Sequence, residues 1–111
     1  METHIYKSGT NRGNRRIWIE GARLLNAGIR HGVKFHRELF ADRGWGKELS
    51  LTFDGDGQHT VAGKPERPIV DLNGKYLNEF LGDAEKFKAV FFKAENNTPP
   101  SITISPVMEI D

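Results

Sequence analysis

One phrase occurs twice in this chain, and its recurrence constrains the fold more than any other feature. Residues 15–29, RRIWIEGARLLNAGI, run an alternating apolar segment into a glycine and then a stub of helix; residues 68–81, PIVDLNGKYLNEFL, do the same. A shift of 53 positions lays Ile19 on Leu72, Gly21 on Gly74 and Leu24 on Leu77, and further on Leu49 on Ile102 and Leu51 on Ile104. The strands between them need a slip of one residue, which a turn absorbs. Ile17 and Ile19 alternate with Arg16, Trp18 and Glu20, the period of a half-buried strand. ARLLNAG then offers about two turns of helix, with Leu24 and Leu25 inward and Gly28 at the C-cap.

VKFHREL alternates through Val33, Phe35 and Leu39, and ELSLTFD through Leu49, Leu51 and Phe53. In the second copy EKFKAVFFKA puts Phe87, Ala89 and Phe91 on one face, and SITISPV alternates through Ile102 and Ile104. Each unit therefore reads strand, short helix, strand, strand. Two copies are too few for a solenoid, but each leaves an apolar sheet face that its copy covers. The expectation is a mainly β domain over residues 15–111, built from repeats at 15–53 and 68–107. The 54–67 segment between them, rich in turn formers, is expected as a loop. Residues 1–14, polar and rich in Gly and Asn, are expected as a flexible basic arm.

Composition narrows the chemistry. Seven Phe and two Trp within a hydrophobic fraction of 37 % supply a modest core, while 12 Gly and 5 Pro favour short strands over a helical bundle. The absence of cysteine excludes disulfides, thiolate nucleophiles and Cys-based zinc sites. No window is apolar enough for a membrane span and METHIYKSGTNRG lacks a signal-like apolar stretch, so a cytoplasmic location without membrane partners is expected. Charge is uneven: residues 1–37 hold eight Lys and Arg against two acids, residues 38–111 eight against thirteen. Either a basic face meets an anion, or the halves attract each other across the fold.

The arginines of SGTNRGNRR, residues 8–16, have the make-up of an arm that orders on phosphates, or of a solubilising tail. Trp45, between two glycines in RGWG, is expected as an exposed aromatic at a hairpin tip that stacks on a base or anchors a partner. Trp18 is read either as a platform between arginines or as a cap on the core. His31 and His36 fall on opposite faces of a strand with no third ligand nearby, so neither metal nor cofactor is expected. DGDG at 54–57 reads as a tight acidic turn. Ser50, Ser101 and Ser105 lack a nucleophile elbow and no P-loop is present. Glu20, His31 and His36 are acid–base groups that nothing holds together, so a non-enzyme is expected.

The order of a basic residue, an alternating strand, Gly, a helix with LLNAGI, then HGVKFHRE and LSLTF resembles the AbrB-like swapped-hairpin barrels. It is most similar to their SymE-like branch, whose units read strand, GxxLxxAGF, xxGxxVxV and a final strand. The resemblance covers residues 15–53 by letters and 68–105 by order of elements. It implies two β-α-β-β half-barrels that form one pseudo-twofold small β-barrel, as a monomeric pseudo-dimer or a homodimer. It also implies DNA contact through basic residues on one face, here Arg12, Arg15, Arg16, Arg23, Arg30 and Lys34, with Trp45 as a secondary contact. The second copy holds Ile69, Tyr76, Asp83 and Phe87 where Arg16, Arg23, Arg30 and Lys34 stand, so the implied contact is one-sided. The functional expectation is a small non-enzymatic DNA-binding protein, a regulator from a phage or mobile element, with DNA favoured over RNA. The alternative is a phage or mobile-element inhibitor that blocks a host nucleic-acid enzyme, as anti-restriction or anti-CRISPR proteins do, with Asp71, Glu79, Asp83 and Glu85 mimicking phosphates. A third is a SymE-like toxin that targets RNA.

Overall fold

A computed structural model describes residues 1–41 and 46–108. The first unit runs β1 (Glu2–Lys7), β2 (Gly9–Asn11), β3 (Asn14–Glu20), α1 (Ala22–Ala27), β4 (Lys34–Phe40) and β5 (Glu48–Thr52). The second runs β6 (His59–Thr60), β7 (Ala62–Lys64), β8 (Arg67–Asn73), α2 (Lys75–Leu81), β9 (Lys86–Phe92) and β10 (Ser101–Val107). The strands form two antiparallel sheets, one ordered β1-β9-β10-β5-β4-β6 and the other β2-β3-β8-β7.

Both orders are unchanged when the first unit is exchanged for the second. Registers follow the same symmetry. Ile17 pairs with Leu72 and Ile19 with Val70, so a shift of 53 maps the β3–β8 ladder onto itself about the Trp18–Asp71 pair. The β5–β10 ladder maps onto itself about Ser50–Thr103 in the same way. β4 and β9 correspond at a shift of 52, since Phe35 pairs with His59 and Phe87 with Tyr6. An approximate twofold axis thus runs from the Trp18–Asp71 pair in one sheet to Ser50–Thr103 in the other.

Alternation explains the core. Ile17, Ile19, Val70 and Leu72 of the smaller sheet face Leu49, Leu51, Phe87, Ala89, Phe91, Ile102 and Ile104 of the larger, all within one buried cluster. The helices close its ends with Leu24 and Ala27 from α1 and Leu77, Phe80 and Leu81 from α2. Each helix starts after a glycine at the same place in its unit. Gly21 has φ 90° and Gly74 φ 136°, backbone angles that L side chains rarely adopt, so the chain turns sharply from strand into helix there.

Four expectations are corrected. Residues 1–14 are not a loose arm: β1 and β2 occupy them, and Tyr6 stacks on Phe87 with ring centroids 5.3 Å apart. The 54–67 segment holds β6 and β7, which fill the places that β1 and β2 fill in the first unit. The sheets do not close into a barrel. The chain crosses between them at Ser8 and Val61, whose backbone N–H groups bond Glu85 O and Val33 O (both 2.9 Å), and among the described residues no ladder joins their edges. Leu39 is 47 % exposed, because beyond Phe35 strand β4 has no β6 beside it.

Candidate binding surface

The smaller sheet turns Arg16, Trp18 and Glu20 of β3 and Arg67, Ile69, Asp71 and Asn73 of β8 outward. Arg16 grips Asp71 with two hydrogen bonds, Nε to Oδ1 and Nη2 to Oδ2, each 2.8 Å, while its guanidinium lies 4.4 Å from the centre of the Trp18 ring. Those bonds hold the Asp71 carboxyl below the usual carboxylate range and push the guanidinium up. Arg67 pairs with Glu20 at 3.0 Å between β8 and β3, at one end of their ladder. Trp18 is therefore neither a bare platform nor a core cap: Arg16 covers part of it and 38 % remains exposed.

Arg15 is committed inside the fold as well. Its Nη2 donates to Ser8 Oγ and to Ala84 O, both at 2.7 Å, its Nη1 to Gly82 O, and its backbone N–H to Asn78 Oδ1 at 2.7 Å. One guanidinium thus ties the β1–β2 corner to the chain leaving α2. The other expected phosphate ligands are exposed. Arg12 occupies the β2–β3 tip with φ 53°, and Arg23 of α1 lies 5.4 Å from the Tyr6 ring centre. Arg30 sits in the turn after α1, and Lys34 opens β4 next to an acidic loop in which Asp54 meets His36 at 3.4 Å. Trp45 lies outside the described residues. Of the expected phosphate mimics, Asp71 is spent on Arg16, and Glu79, Asp83 and Glu85 are exposed on and just after α2.

The larger sheet carries a surface not anticipated from the sequence. On its outer face Ile5 pairs with Lys88, Thr3 with Val90 and Lys7 with Lys86 across β1–β9. Ile5 is 52 % exposed, Phe92 40 % and Met108 62 %. With Val90 and Val107 they line a shallow groove of about 1040 Å³, in which Lys88 stands between Ile5 and Ser105 and Lys47, Glu48 and Thr103 add polar lining. The signal was present in KFKAVFF, where the residues opposite the buried Phe87, Ala89 and Phe91 end in Val90 and Phe92. An apolar run on both faces of a strand marks an outer face that water does not fully claim.

At the equivalent edge His59 packs on Phe35, ring centroids 5.4 Å apart. Burial, and secondarily the charge of Arg37, push its imidazole below the ordinary value. Arg37 itself lies 3.8 Å from the centre of the Tyr76 ring. Among the described residues no group of three or more His, Asp or Glu side chains is placed to hold a metal ion, and no helix is long and apolar enough to cross a membrane. The chain matches no family model, no curated protein and no solved structure.

Proposed function

We propose that this chain is a non-enzymatic binding protein that holds a protein partner on the outer face of β1, β9 and β10. The observation that carries this reading is the groove that Ile5, Val90, Phe92 and Met108 line together with Lys47 and Lys88. Contiguous exposed apolar surface rimmed by charge is the usual mark of a protein contact. The engagement of Arg15 and Arg16 in internal bonds supports it from the other side, since it removes two cations from any phosphate-binding face. A partner that is a host nucleic-acid enzyme is consistent with this surface. The test is capture of a stoichiometric partner from cell extract by the wild-type chain. Ile5→Asp and Phe92→Asp should each abolish it, while Arg12→Glu and Arg30→Glu leave it intact. Capture that survives both apolar substitutions sinks the reading.

A second reading, contact with DNA in the manner implied by the AbrB-like resemblance, is supported by the exposure of Arg12, Arg23, Arg30 and Lys34. It requires retention on a DNA column that falls steeply with salt and weakens when those four are neutralised. No retention at about 0.1 M salt would remove it.

A further inference from the structure

Both edges of the larger sheet are built by equivalent strands, and they are defended very differently. β6 is two residues long, and the chain leading into it packs tightly on β4, where a Cβ added at Gly57 would stand 2.3 Å from Phe35 O. β1 pairs with β9 over six residues, Glu2 to Lys7, and its other side borders no strand among the described residues. Natural sheets shorten or block their edges, because an open row of N–H and C=O groups templates another strand. Here that row lies beside the apolar groove. Charge gives the incoming chain its character. Lys7 of β1 and Lys88 of β9 stand on the outer face beside it. A carboxylate on the neighbouring strand complements such lysines.

We infer that β1 accepts an extended, acidic and β-branched segment of a partner protein as a seventh strand of the larger sheet. The added strand runs antiparallel to β1. It sets a carboxylate beside Lys7 and, two residues on, a Val or Ile beside Ile5, where it extends the apolar surface of Val90 and Phe92. Main-chain bonds supply the grip and the alternating outward side chains the selectivity.

The inference rests on the proposed protein-binding face, and the test separates the two. The probe is the labelled peptide acetyl-Thr-Glu-Thr-Val-Thr-Val-Thr-amide, titrated into the full chain by fluorescence anisotropy. Two further peptides carry N-methyl groups on alternate residues, one set on the odd and the other on the even positions. In an added strand only alternate residues turn their N–H toward the edge, so one methylated peptide should lose about tenfold or more in affinity while the other binds like the parent. Lys7→Glu should weaken the parent peptide about tenfold and favour a version with Lys in place of Glu. Equal binding of the two methylated peptides overturns strand addition. If Phe92→Asp still abolishes partner capture in that case, the protein-binding face stands without it. No binding of the parent at about 1 mM, or displacement by oligothymidylate or phosphatidylglycerol vesicles as effective as by free parent peptide, also overturns it.

Discussion

The two halves of the larger sheet share a plan and differ in what they show to solvent. Around the axis, Ile5 corresponds to Gln58, Lys7 to Thr60, Lys88 to His36, Val90 to Glu38 and Val107 to Asp54. Their inward neighbours are much alike: Phe87 and Phe35, Ile102 and Leu49, Ile104 and Leu51 are all buried. Inner positions answer to a shared core, in which a lost methylene is felt at once. Outer positions answer only to water or to a partner. One half has taken the polar solution, with His36 and Asp54 in contact at 3.4 Å, and the other carries apolar side chains among lysines. Difference confined to the outside of a symmetric scaffold is the pattern expected when the scaffold is structural and one face is used.

Substitutions at matched positions test that contrast. Phe35→Ala and Phe87→Ala should each cost about 3–5 kcal/mol in urea denaturation, and similar amounts, because both fill the same place in the core. A gap between them as large as either effect would break the equivalence. Gly57→Ala should destabilise by about 3 kcal/mol, since the new Cβ meets the Phe35 carbonyl in a strained backbone. Its counterpart by the 53-residue shift, His4 in the open β1 edge, should tolerate Ala for about 1 kcal/mol or less. Arg15→Ala should cost about 2 kcal/mol and Arg15→Lys should restore little of it, because one ammonium group cannot reproduce the fork that meets Ser8, Gly82 and Ala84.

The smallest effect concerns pH. The folded state holds the His59 imidazole below its ordinary value, so it binds fewer protons than the unfolded chain just below neutrality. Stability from this group is complete above the ordinary histidine range and is lost as pH falls through it. Replacing His59 with Tyr, the residue at the equivalent Tyr6 position, should flatten the fall of Tm on the acid side. An unchanged slope would show that His59 is not responsible.

Much of the interior was legible in the sequence. Period-two runs located β3, β5, β8, β9 and β10, and the twin glycines located both helices, because burial of one face writes itself directly into alternation. The edges were not. β1 reads as a polar arm because its few apolar residues are divided between two faces, and its partner β9 lies some eighty residues away. β6 and β7 are too short, and too rich in glycine, to stand out from a loop. The expected site suffered from the same blindness to distance. Arg15 and Arg16 look free in a linear reading, and only the fold brings Ala84 and Asp71 to them. Arg12, Arg23, Arg30 and Lys34 are exposed, and among the described residues no bond to a distant residue engages them as Ala84 and Asp71 engage Arg15 and Arg16.

The axis through Trp18 and Asp71 has a consequence for assembly. A homodimer of a single unit would place the same residue at both positions, giving either two tryptophans or two aspartates face to face. The triplet found here, with one guanidinium lying on an indole while gripping a carboxylate, needs two different residues at one symmetric site. Carrying both units in a single chain is what makes that pairing available. The same freedom lets one edge strand of the larger sheet be two residues long and its twin six, which no symmetric pair of identical subunits can do.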